Sequence, residues 1–202
     1  MIDFKEDDVM SRYSSSYCKG NGIAKVAFVF ICPGQEEQRE GKPVASQTGK
    51  NLEILLSFLN KSLPNVFPST NRYDYRILNL SVEICYKEKN ERTIPKISSI
   101  RAKENIERII QEIGDCEIII FFSKNKTYNK VIKKIKRNLK PKHAIQSRHL
   151  GFQSINRGIR CDKSGNELVR GDKGNTPKRL EVIAEKIKKE LNTSLRGEVT
   201  II

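Results

Sequence analysis

The sequence predicts an α/β protein: a single three-layer α/β/α domain built on a central, mainly parallel, four-stranded sheet. Short apolar runs at residues 25–31, 75–80, 116–122 and 143–147 alternate with longer segments of helical apolar spacing, the order in which strands and crossover helices build a parallel sheet. The run CEIIIFF at 116–122 is apolar at nearly every position, as a strand covered on both faces requires. At 202 residues the chain can bury one core and needs no second domain.

Residues 1–17 are polar, include Ser14-Ser15-Ser16, and read as an N-terminal arm outside the domain of residues 18–202. Gly20-Asn21-Gly22 turns the chain into the first strand, which stops at Pro33-Gly34. Gly49 then opens a helix with Leu52, Leu55, Leu56 and Leu59 on one face. After a connection at 64–74 comes the second strand, ending at Asn79, with residues 84–86 as a candidate extension. Pro95 starts a helix whose inward positions run from Ile97 to Ile113, and Gly114 stops it. The third strand leads into a strongly basic helix at 125–139. Val131, Ile132, Ile135 and Leu139 face inward there, and Lys133, Lys134 and Arg137 outward. A short strand at 143–147 delivers Arg148-His149-Leu150-Gly151 into a loop. Residues 152–175 read as a basic loop insertion containing a hairpin that turns at Ser164-Gly165-Asn166. Thr176-Pro177 caps a last helix with Leu180, Ile183, Ala184, Ile187 and Leu191 inward.

Bulk composition narrows the partners. Lys and Arg number 38 against 24 Asp and Glu, a net charge of +14, which favours a polyanion and, with no lipidation signal, nucleic acid. The opening MIDFKEDDVM carries acids where a signal peptide carries bases, and no apolar run is long enough for a membrane span. A cytoplasmic monomer with no membrane partner is the expectation. Five cysteines without a C-x-x-C pair argue against a disulfide framework or an ordinary zinc site.

The string ICPGQEEQREGKPVASQTGKNLEILL resembles the first motif of the uracil-DNA glycosylase superfamily, above all its iron-sulfur branch. Pro33-Gly34, Glu36-Glu37, Gly41, Pro43, Gly49 and Leu52 keep that motif's spacing. Further landmarks follow in order: Gly20-Asn21-Gly22 before the strand, Asn79 closing the second strand, Arg92 and Pro95 in an N-R-x-P-like turn, and Arg148-His149 at the late histidine motif. The resemblance covers roughly residues 18–155 and implies a uracil-DNA glycosylase-like fold that acts on DNA.

Under that resemblance, cleaving an N-glycosidic bond needs a donor at the departing base and a positioned water beyond the sugar. His149 is the candidate donor, Asn79 the reader of the base edge, and Glu36 or Glu37 a water-positioning carboxylate. Ile31, Cys32, Pro33, Gly34, Val44 and Ser46 would close over the base. Arg148, Lys133, Lys134 and Arg137 would meet phosphates, and Leu150 or Phe152 would fill the space left by a flipped nucleotide. Each has a plainer alternative: a surface histidine, a strand-end turn residue, a solvated acidic pair, a packed small cysteine, a solubilising helix face. Ile31 and Cys32 stand where the superfamily has its water-activating acid or amide, and Val44 where it has an aromatic that stacks on uracil. Cys18 and Cys85 lie near two cluster-ligand regions but lack their partners, so no cofactor and no metal are expected.

The expectation is therefore a DNA glycosylase that excises a modified or damaged pyrimidine. Val44, the missing acids and the basic insertion lean toward a bulky modified cytosine of phage DNA, which implies antiviral defence. A uracil-excising repair enzyme and a non-catalytic DNA-binding member of the superfamily are the alternatives. A nucleotide-binding α/β protein is disfavoured, since neither G-x-x-x-x-G-K-[ST] nor G-x-G-x-x-G occurs.

Overall fold

A computed structural model describes residues 13–197. Four strands pair in parallel: β3 (Val26–Phe30), β4 (Arg76–Asn79), β5 (Ile118–Phe121) and β6 (His143–Gln146). The sheet, however, has six strands and is mixed, with order β1-β2-β4-β3-β5-β6. The extra pair is an antiparallel ribbon, β1 (Tyr13–Ser14) and β2 (Tyr17–Cys18), whose Tyr17 and Cys18 lie opposite Leu78 and Ile77 of β4. Residues 13–17 of the expected arm thus belong to the sheet, because β4 would otherwise present an unpaired edge. Residues 1–12 of that arm lie outside the described residues.

All five residues of β3 are buried, and they alternate between two cores. Val26, Phe28 and Phe30 face the core of α2 (Gln47–Ser62) and α8 (Thr176–Gly197), while Ala27 and Val29 face that of α5 (Lys103–Ile113) and α6 (Asn129–Leu139). That two-sided burial is the reason the strands read as continuous apolar runs.

Three helical segments depart from expectation. The helix expected from Pro95 to Ile113 is two, α4 (Ile97–Arg101) and α5, broken at an extended Ala102. The Asn105 amide donates to the carbonyls of Leu80 (2.8 Å) and Ile100 (3.0 Å), which satisfies the broken end beside β4. The basic helix starts as a 3-10 turn at Lys126–Tyr128, anchored by buried Tyr128. The 152–175 insertion holds an unexpected helix, α7 (Phe152–Gly158), before the hairpin expected there, which has one bridge, Cys161 to Glu167. Asp162 Oδ1 sets the hairpin turn by accepting from the amides of Ser164 and Asn166, both at 2.9 Å. Residues 84–86 do not extend β4 but lead into a single-turn α3 (Lys87–Asn90).

Candidate active site

The chain leaves β3 for β4 on one side and reaches β5 on the other, so the loops at the carboxyl end of β3 part and leave a crevice. A cavity of about 380 Å³ lies there. Ile31, Cys32, Pro33 and Gly34 beyond the end of β3 line it together with Glu37, Val44 and Ser46 of the following segment, Asn79 and His149. Nine of the residues singled out from sequence thus surround one space. Two larger hollows, about 980 Å³ and about 810 Å³, flank the 152–175 segment. They lack the features below.

Asn79 ends β4 opposite Phe30 and is 2% exposed. Its Nδ2 donates to the carbonyl of Ser16 at 3.3 Å. A carbonyl only accepts, so this bond fixes the amide orientation and leaves Oδ1 on the other side. Oδ1 has no hydrogen-bond partner among the described residues. A buried acceptor left unmatched costs about 1 to 3 kcal/mol, and because Asn79 lines the cavity, a donor from a ligand there would offset that cost. The ribbon read from sequence as an outlying arm therefore aims a site residue. Arg108 Nη2 holds the Asn79 backbone carbonyl from α5 at 2.8 Å.

His149 sits edge-on to Phe30, with ring centroids 6.1 Å apart. Burial lowers its pKa, and the negative charge of Glu37 acts in the opposite sense. The ring is thus neutral at pH 7. Nδ1 accepts the amide of Gly151 at 3.0 Å, and a neutral ring with Nδ1 so used carries its proton on Nε2. Leu150 is fully buried, its carbonyl held at 2.7 Å by Asn51, itself buried on α2 and braced by Gln47 at 3.0 Å. Leu150 consequently serves as an inward anchor for the histidine loop and is not an exposed wedge, correcting that expectation. Phe152, at the start of α7, is partly exposed.

Glu37 is buried at the third position of α1 (Gln35–Glu40). Its Oε2 accepts the amide of Gly34 (2.9 Å) and its Oε1 that of Ser46 (3.3 Å), so one carboxylate laces the two ends of the loop together. Glu36 faces solvent, pairs with Arg39 at 2.5 Å and lies outside the cavity, which removes it from the candidate site. Val44 takes a left-handed backbone, φ 47°, rare for a β-branched residue. Its carbonyl occupies the place of a side chain at Gly49, where an added Cβ would lie 1.8 Å away. Gly49 thus permits this loop, and the strain aims Val44 at the cavity.

No protein-family model and no curated protein matches this chain.

Sequence reasoning did not place Phe30, Cys85, Thr93 or Ile94 at the site, and these also line the cavity. The chain after β4 runs beside the first loop through the bonds Ser81 N to Ile31 O (3.0 Å) and Cys85 N to Pro33 O (2.9 Å), and so becomes a wall. Burial, with Cys85, Glu83 and Glu37 adding, pushes the Cys32 thiol up to about 12, so it stays protonated and is no nucleophile. Asn51 left a signal: a polar residue on the same helical stripe as Leu55 and Leu59. Among the described residues no three His, Cys, Asp or Glu side chains group as a metal site requires, and Cys18 packs in the core with its thiol toward Tyr73 O. A cluster of the iron-sulfur type does not fit these residues. Arg148 turns away from the cavity onto Gly158 and the Ser154 carbonyl, 3.4 Å away. Lys133, Lys134 and Arg137 are exposed on α6 and line none of these hollows.

Proposed function

We propose that the protein is a DNA glycosylase of the uracil-DNA glycosylase type, which takes a flipped pyrimidine into the strand-end cavity and hydrolyses its bond to the sugar. The observation that supports this reading is that Asn79, whose buried Oδ1 lacks a hydrogen-bond partner among the described residues, and His149, a neutral ring with its proton on Nε2, line the same cavity. Asn79 Oδ1 takes an N–H from the base edge, either ring N3–H or an exocyclic amine. His149 Nε2–H donates to the base oxygen on which negative charge develops as the bond breaks. Val44 in place of a stacking aromatic and the size of the cavity favour an enlarged pyrimidine, such as hydroxymethylated or glucosylated cytosine of phage DNA, and hence a defence role. Plain uracil is the alternative substrate.

DNAs carrying uracil, a thymine mismatch, hydroxymethylcytosine or glucosylated cytosine, scored by base release, test the proposal. Release from a modified cytosine, lost in His149→Ala while salt-sensitive DNA binding persists, is the expected result. Rapid release of uracil with modified cytosine spared overturns the substrate assignment, and no release from any DNA overturns the enzyme. One observation favours a non-catalytic DNA-binding member in that event: the sole carboxylate lining the cavity among the described residues, Glu37, already has both oxygens bonded to backbone amides.

A further inference from the structure

The 152–175 segment is held by an unusual pin. Arg179 of α8 is 1% exposed, and its guanidinium meets carbonyls alone: Ile159 (3.2 Å), Asp172 (3.1 Å), Leu168 (3.4 Å) and Val169 (2.7 Å). Asn156 Oδ1 of α7 accepts the amide of Gly171 at 2.9 Å and closes the same unit from the other side. A segment fixed at so many points is a built surface.

That surface is a hollow of about 810 Å³ between the end of α7 and residues 167–170. Arg157, Arg160 and Arg170 line it with one carboxylate, Glu167. All three arginines are exposed, and none has an ion-pair partner among the described residues. Val169, 69% exposed, lies on the same rim. Unpaired planar guanidinium forks suit phosphate oxygens, and an exposed apolar side chain between them suits a sugar or base more than a free anion. α7 begins at Phe152, three residues after His149, and its seven residues carry the chain roughly 10 Å from the His149 loop, about three B-DNA base steps of about 3.4 Å.

We propose that Arg157, Arg160 and Arg170 form a preset groove for the DNA backbone a few nucleotides from the flipped base, with Arg179 as the residue that positions it. The inference rests on the glycosylase reading for its choice of DNA. It assigns the main phosphate contact to this groove and away from the basic face of α6.

The test compares R157Q/R160Q/R170Q with K133Q/K134Q/R137Q, which removes equal charge from α6, in duplex-DNA affinity across a salt series and in base release. Unchanged urea midpoints establish that both variants fold. The arginine variant is expected to lower the slope of log Kd against log salt by about 2 to 3, near 0.9 per lost phosphate, and the α6 variant by much less. An unchanged slope in the arginine variant, or equal losses in both, overturns the groove, and a wild type that still releases base leaves the glycosylase reading standing. A selective loss of slope in the arginine variant, with no base release by the wild type, supports the groove and overturns the glycosylase. A wild type that binds anionic vesicles or RNA but no DNA overturns both.

Discussion

Arg179→Met keeps the length of the side chain and removes the guanidinium fork. Of the carbonyls it strands, those of Ile159 and Leu168 are bonded in buried surroundings, while those of Asp172 and Val169 lie nearer water. At about 1 to 3 kcal/mol for each stranded buried acceptor, the two buried ones cost about 2 to 6 kcal/mol. Relief of the desolvation of a cation with no carboxylate partner offsets part of this and leaves about 2 to 4 kcal/mol. The loss falls first on the 159–172 segment, because the strands bury their own core and make their ladders without it. Hydrogen exchange read by mass spectrometry is the assay. Amides of 159–172 should lose about thirty- to a thousand-fold in protection, the exchange equivalent of that energy, while those of β3 change little. Full protection of the segment, or equal loss in β3, refutes the reasoning. The variant should also show the shallower salt dependence expected of the triple arginine substitution.

Gly49→Ala forces a methyl group against the Val44 carbonyl; overpacking costs about 1 to 3 kcal/mol, so a lower urea midpoint and reduced base release are expected, and wild-type values in both refute the role assigned to Gly49. The lowered pKa of His149 has a definite linkage sign. Between its folded value and the unfolded value near 6.5 the unfolded chain binds more protons, so this contribution is complete above about pH 6.5 and declines as pH falls below it. His149→Gln should flatten urea midpoints measured between pH 5 and pH 7.5, and an unchanged profile contradicts a buried neutral ring. With its thiol pushed up to about 12, Cys32 should stay unmodified by Ellman's reagent at pH 8 while exposed Cys161 reacts, as peptide mapping of the labelled protein will report.

Much of the site was legible because its signals are local. Pro33-Gly34 after an apolar strand, an asparagine at the end of β4 and a histidine beyond β6 all lie at carboxyl ends of strands, which a parallel sheet gathers on one side. The parts that were not legible depend on contacts between distant residues. Serines 14–16 look like an arm until Ser16 is paired with Asn79, 63 positions away. Leu150 beside a histidine reads as a wedge until Asn51, 99 positions earlier, holds its carbonyl inward. Nothing in the sequence singles out Arg179 in its lysine-rich helix, and its role comes from the carbonyls of the 152–175 segment that surround it.

The sequence by itself determined the alternation of strands and helices and the loops where chemistry would sit, since apolar period and chain breakers act over a few residues. Only the tertiary structure decided that Asn79 offers its oxygen, that His149 carries its proton on Nε2, and that Glu37 is committed to the loop while Glu36 stands in solvent. Those outcomes are set by which donor or acceptor lies opposite each group once the chain has folded, and a one-dimensional pattern does not encode that pairing.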